Sequence, residues 1–252
     1  MRRIGICLLA ALVLSLSACG QSTPPESSAV SISPAEKQET AILTPPPSEE
    51  PESSAAASQE SPPTQESGST LIAYFSRVGN TDFPEDVDAV TTASLMRKDG
   101  VLLGNTQYIA SLIQEHTGGD LFLIETKEKY PADYDETDAQ ARQENSENAR
   151  PELAVQVENL EQYDTVFLGF ANWYYGMPMA VYSFLESHDL SGKTIVPFAT
   201  SGGSGFSDAI SVIQELQPNA TVIEDGFLTT HSQVEGVQSA DVQAWLDSLA
   251  LN

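Results

Sequence analysis

The reading of this chain turns on Thr70–Thr81, TLIAYFSRVGNT. Leu71, Ile72, Ala73, Tyr74 and Phe75 make a short apolar run without strict alternation, the pattern of a strand buried on both faces. The run meets a turn of small and polar residues, Ser76-Arg77-Val78-Gly79-Asn80-Thr81. Such a turn presents hydroxyls, an amide and backbone N–H groups. With a helix behind it, aligned amide dipoles are added, and the place becomes an anion site, typically for phosphate.

No helical pattern follows directly. Asp82–Leu103 begins acidic, with Asp82, Glu85, Asp86 and Asp88, and leads to a second Gly-Asn-Thr triplet at Gly104-Asn105-Thr106. Only this second copy runs into helical spacing, with Tyr108, Ile109, Leu112 and Ile113 on one face and Gly118-Gly119 at the end. Residues 82–103 therefore read as an insertion that splits the turn, with Thr106 at the helix start. The acidic cluster lacks the spacing of a calcium loop and reads as solvated.

Further on, strand-like and helix-like stretches alternate. Strands are expected at Asp120–Glu125, Thr165–Phe170, Thr194–Ala199 and Ala220–Leu228. Helices are expected at Asp138–Ala149, after Pro178, at Asp208–Leu216 and at Ala240–Leu249. Five such alternations argue a parallel sheet covered on both faces. In an open sheet of this kind ligands bind beyond the carboxyl ends of the strands, where the winding reverses. In a 2-1-3-4-5 order the first, third and fourth strands are neighbours. The loops that follow them are the split turn, the aromatic stretch Ala171–Pro178 (ANWYYGMP) and the glycine stretch Thr200–Phe206 (TSGGSGF), and all three meet at one edge.

At this point the chain from residue 70 to about 249 resembles the flavodoxin family. The residues that carry the resemblance are Tyr74–Thr81, Tyr130-Pro131-Ala132-Asp133-Tyr134, Trp173–Pro178, and Ser191–Phe198 with Ser201–Gly205 after it. The resemblance implies a three-layer α/β sandwich with a five-stranded parallel sheet of order 2-1-3-4-5. It also implies a non-covalent flavin mononucleotide (FMN) and electron transfer. Phosphate would fall to Ser76, Asn80 and Thr106, to backbone near Gly79 and Gly104, and to Arg77, with Thr81 and Asn105 from the two triplets beside them. The isoalloxazine needs a flat wall, for which Trp173 leads and Tyr174 or Tyr175 stand in reserve, within the loop from Asn172 to Gly176. Backbone at Ser201, Gly202, Gly203 and Gly205 could approach the polar edge of the ring, because glycines interpose no side chain. Ala171-Asn172 stands where the family leads one to expect a proline and an apolar residue.

Two other functions compete. One is an NAD(P)H-dependent quinone or nitro-compound reductase, and the other a flavin-free surface-binding module on the same fold. A serine hydrolase does not fit, because Gly-Gly-Ser-Gly at 202–205 is not the nucleophile-elbow order. No metal site and no catalytic side chain is expected.

The chain has 252 residues and a formal charge of −25. That excludes nucleic acid as a partner, since phosphates need Lys and Arg. A redox partner protein or a small electron acceptor such as a quinone is expected instead. Met1-Arg2-Arg3, the apolar run Ile4–Leu16 and the small residues before Cys19 form a secretory signal over 1–18. Leu16-Ser17-Ala18-Cys19-Gly20 also resembles the lipoprotein box, which implies a lipidated Cys19 and anchorage to a bacterial cell membrane. Residues 19–69 are rich in Ser, Pro, Glu and Ala, with few large apolar side chains. Such a segment reads as a disordered tether spanning roughly 40 Å. Removal of the signal leaves 9 basic against 36 acidic residues, a charge of −27.

If Cys19 is the anchor, Cys19→Ala should release the protein from the membrane fraction or block its processing. Unchanged processing with unchanged membrane association, read by fractionation and mass, would refute lipidation.

Overall fold

The computed structural model describes residues 69–89, 94–249 and 251. The expected signal, Cys19 and all of the tether except its last residue lie outside the described residues.

The chain forms one parallel sheet with helices on both faces. Its strands are β1 (Ser69–Tyr74), β4 (Asp120–Leu123), β5 (Tyr163–Ala171), β6 (Thr194–Ser201), β7 (Thr221–Val222) and β8 (Phe227–Thr230). The order is β4-β1-β5-β6, with β7 paired to the start of β6 and β8 to its end. This is the expected 2-1-3-4-5 arrangement, with the fifth position shared by two short strands.

Alternation sorts the central strands. Leu71, Ala73, Val166, Leu168, Phe170, Ile195 and Ala199 face one cluster, while Ile72, Tyr74, Phe167, Val196 and Phe198 face the other. The first face is covered by α4 (Met179–Ser187) and α5 (Ala209–Leu216), with the polar helix α3 (Tyr134–Glu147) against α4. The second is covered by α2 (Asn105–Thr117) and α6 (Ser239–Ser248). Gly169 in β5 is a packing requirement, since a Cβ there would stand 2.1 Å from Cζ of Phe198. The Phe198 ring lies in the space that a side chain would fill.

The expected single strand Ala220–Leu228 is broken instead. Glu224 and Asp225 bend out of the sheet, because two carboxylates have no place in a buried strand. Gly226 then passes so close to the Pro197 carbonyl that its own Cβ would fall 2.3 Å from that oxygen.

The insertion is also more than a solvated loop. Leu95–Lys98 (β2) and Val101–Gly104 (β3) pair as an antiparallel hairpin around Asp99-Gly100, both at positive φ. Leu95 and Met96 are buried, and Met96 joins the cluster that holds Tyr108. Lys98 lies over the Tyr108 ring and donates to its hydroxyl.

No helix among the described residues is long and apolar enough to cross a membrane. At the far end of the sheet, His188 Nδ1 bonds the Phe184 carbonyl (2.8 Å) and Nε2 accepts from the Val157 N–H (3.1 Å). This fixes a neutral ring, and burial pushes its pKa below the ordinary histidine value. Protonation would destroy the Nε2 acceptor. The unfolded chain takes up that proton more readily, so this stabilising contribution is complete above the ordinary histidine pKa. It is lost as pH falls toward the lowered folded value. Denaturant unfolding from about pH 7.5 to about 5.5 should show falling stability in the native chain and a flatter dependence in His188→Gln.

Candidate functional site

At the carboxyl end of β1, Ser76 is extended and Arg77–Asn80 (α1) is a single kinked turn, with Gly79 at φ 98°. The chain then leaves into the insertion and returns at Gly104. A Cβ on Gly104 would lie 1.9 Å from Ser76 Oγ, so exit and re-entry touch and a side chain there would displace the Ser76 hydroxyl. The two Gly-Asn-Thr triplets thus stand side by side, with α1 packed against β3.

Their asparagines do different things. Asn80 is fully buried and uses its whole hydrogen-bonding capacity. Its Nδ2 donates to the carbonyls of Ser76 (2.9 Å) and Ile124 (3.0 Å), and its Oδ1 accepts from Thr126 N–H (2.8 Å) and Oγ1 (3.0 Å). It braces the β1 turn to the loop after β4 and has nothing left for a ligand. Asn105 is also buried, but its Oδ1 has no protein partner, and neither have the buried Ser76 Oγ and Thr81 Oγ1. These three oxygens belong to the segments that converge where α2 begins.

Of the first N–H groups of α2, Asn105 donates to the Ser94 carbonyl (2.9 Å). Gln107 reaches back, its Oε1 accepting from Gly104 N–H (3.1 Å). The N–H groups of Thr106 and Gln107 lack intrahelical acceptors, as first-turn groups do, and the helix dipole adds positive potential there. The buried, unpartnered hydroxyls of Ser76 and Thr81, which can donate, and a thirteen-residue helix N-terminus fit an anion such as a phosphate, whereas Asn105 Oδ1 can only accept and calls for a donor.

Arg77 divides its guanidinium, with Nε and Nη1 buried and without a protein partner. Its Nη2 is directed at the carbonyls of Pro131 (3.0 Å) and Ala132 (3.2 Å) and at Thr137 Oγ1 (3.0 Å), and Phe83 covers its guanidinium. Burial lowers its pKa, against the opposing pull of Tyr134 and Asp133. The side chain holds the start of α3 and the root of the insertion together.

In the loop after β5, Asn172 is a second brace. Its N–H donates to the Thr200 carbonyl (2.8 Å), and its Nδ2 to the Gly205 carbonyl (2.9 Å) and Ser207 Oγ (3.2 Å). Trp173 and Gly176 exchange backbone hydrogen bonds across Tyr174 (φ 52°) and Tyr175 (φ 64°). Two positive φ angles in a two-residue turn normally call for Asn or Gly. Strain at each tyrosine is of order 1–3 kcal/mol and must be offset by its surroundings. The Tyr174 hydroxyl supplies part of that offset, bonding the Asp138 carboxylate and accepting from Arg142 Nε (3.0 Å). The Tyr174 hydrogen bond, with further help from Arg142, holds the Asp138 carboxyl below its ordinary pKa.

Trp173 is half-buried and packs edge-on against Phe75 (5.3 Å) and Tyr130 (5.4 Å). Tyr175, at the turn tip, is 75% exposed. The glycine loop lies open. Gly202 and Gly203 are exposed with free space where a Cβ would stand, and the buried Ser201 Oγ accepts from Gly203 N–H (3.2 Å).

Sequence reasoning missed Thr200, Asp138 and Arg142. Thr200 could have been found as the polar residue that closes an apolar strand at the binding edge. The other two act on residues more than thirty positions away, and no local signal marks them.

The flavodoxin family model matches residues 101–249, more than half of the chain, and the chain belongs to that family. None of the curated proteins matches it. Among solved structures, a protein of Bacteroides uniformis ATCC 8492, provisionally named a flavoprotein, is 29% identical with a TM-score of 0.55. That likeness covers 72% of this chain and 99% of that one. A protein of Bacteroides eggerthii DSM 20697, named in the same way, is 27% identical with a TM-score of 0.54, over 73% and 99%. A flavoprotein of Lactobacillus acidophilus NCFM, crystallised in complex with FMN, is 20% identical with a TM-score of 0.46, over 68% and 98%.

The two triplets should separate under mutation. Asn80→Ala strands several buried partners and should cost about 2–4 kcal/mol of unfolding free energy. Asn105→Ala removes an already unpartnered oxygen and should leave the denaturation midpoint almost unchanged.

Proposed function

We propose that this protein binds FMN and transfers electrons, held outside the cytoplasm by a lipidated Cys19. The observation that carries the reading is the pair of buried, unpartnered hydroxyls of Ser76 and Thr81, in the turn whose Ser76 Oγ stands against Gly104 at the start of α2. A water-excluded polar group without a partner costs about 1–3 kcal/mol, which a phosphate monoester would recover. Thr106 and the first-turn N–H groups of α2 add donors. Trp173, fixed by Phe75 and Tyr130, offers a flat wall, and Tyr175 a second aromatic surface at the mouth. The open backbone at Gly202 and Gly203 suits the polar edge of a heterocycle. Bound FMN would supply one- and two-electron redox chemistry at this edge of the sheet.

The electrostatics favour single-electron traffic. The mature chain carries −27 by sequence. The basic side chain bonded to the aromatic loop, Arg142, is offset by Asp138 at 2.7 Å. A second negative charge beside a phosphate, at an effective dielectric of about 20, meets a penalty of up to a few kcal/mol at close range. The protein should therefore separate the two electron additions, which suits a carrier working with a redox partner protein or a small acceptor such as a quinone.

The full chain should take up FMN and bind it more tightly than riboflavin, which lacks the phosphate. Ser76→Ala should reduce that preference by about tenfold, the worth of one hydrogen bond to a charged group. Redox titration followed by absorbance should then show two separated one-electron steps. A single two-electron transition, with NADPH consumed in the presence of a quinone, would favour the reductase instead. Failure to bind FMN at all would leave the flavin-free binding module.

A further inference from the structure

Behind α2, Thr106 Oγ1 and Thr200 Oγ1 lie 3.2 Å apart in a buried pair, each residue at most 3% exposed. A hydroxyl has one hydrogen to give. Within the pair one oxygen must donate and the other accept, and only the acceptor keeps its own hydrogen for a third group. Thr106 is the second residue of α2, two positions after Gly104, against which the unpartnered Ser76 hydroxyl stands. An anion there needs donors. The arrangement that serves it runs from the Thr200 hydroxyl to Thr106 Oγ1, and from the Thr106 hydrogen to the anion.

Thr200 is well placed to set that direction. It sits in the last turn of pleat in β6, paired with Ala171 of β5 on one side and Thr229 of β8 on the other. Its carbonyl accepts from Asn172 N–H at 2.8 Å. The backbone is thus fixed from both sides, and a hydrogen bond received by Thr106 strengthens the one it gives.

We propose that Thr200 is a positioning residue for phosphate recognition, holding the Thr106 hydroxyl so that it donates to the terminal phosphate of FMN. The inference rests on the FMN reading above and adds a residue that need not touch the cofactor. It also ties the helix that meets the phosphate to the strand end from which the glycine loop springs.

The test compares dissociation constants of the full chain for FMN and for riboflavin, by fluorescence titration. Thr200→Val keeps the shape and suits a strand but removes the hydroxyl. It should weaken FMN binding about tenfold and leave riboflavin binding unchanged. Thr200→Ser should restore FMN affinity, because it returns the hydroxyl. Equal loss for both ligands would mean that Thr200 only shapes the loop, and undiminished FMN binding in Thr200→Val would mean that the pair has no role; either overturns the inference. Both results presuppose that the native chain binds FMN. If it does not, the FMN reading falls first and this inference with it.

Discussion

The contact between Gly104 and Ser76 is the constraint on which the candidate site depends. The chain interrupts its own turn after β1, makes a hairpin, and must return to the same point before α2 can begin. A side chain at 104 would drive the Ser76 hydroxyl from its place. With glycine there, the head of α2 is set against the end of β1, and the Ser76 hydroxyl comes up to the residue that precedes Asn105 and Thr106. The Asn80 brace secures the other side by tying the first triplet to Ile124 and Thr126. A backbone held at both ends can keep polar groups buried and unpartnered, in readiness for a ligand.

The remaining loops are locked to one another rather than left to the ligand to organise. Asn172 links the aromatic loop to the glycine loop, and Thr106 links α2 to the end of β6. Tyr174 links the strained turn to α3. Each bond lies within or beside the edge where three loops converge, so ordering one loop favours the others. Preorganisation of this kind removes part of the entropy that binding would otherwise consume.

Much of this was legible in the sequence because it rests on periodicity. Apolar runs at β1, β5 and β6 announced strands buried on both faces, and the spacing of Tyr108, Ile109, Leu112 and Ile113 announced α2. The second triplet as the true helix start could be read too, since only that copy leads into helical spacing. What could not be read is set by contacts distant in sequence. Two identical Gly-Asn-Thr triplets do not reveal that Asn80 turns inward while Asn105 keeps a free oxygen. Nor does Arg77, a cation in a phosphate-like turn, reveal that its Nη2 is taken by Pro131, Ala132 and Thr137 while its Nε and Nη1 stay buried and unpartnered. The fifth strand breaks at Glu224 and Asp225, and the close passage of Gly226 by the Pro197 carbonyl that follows exists only once the sheet has formed. The insertion looked solvated from its acidic start, whereas its burial comes from Leu95 and Met96 near its end.

The hairpin has a consequence for protein engineering. Because the chain departs at Thr81 and comes back at Gly104 to nearly the same place, the fold already tolerates foreign sequence between brace and helix. Lengthening such a detour adds little closure entropy, about 0.6 kcal/mol for each doubling. The Asp99-Gly100 tip is therefore a natural port for splicing in a second folded module. A module that changed shape there would pull on β3, and through Gly104 on the head of α2. That connection makes the scaffold suited to a graft in which an unrelated signal tunes the occupancy of the neighbouring site.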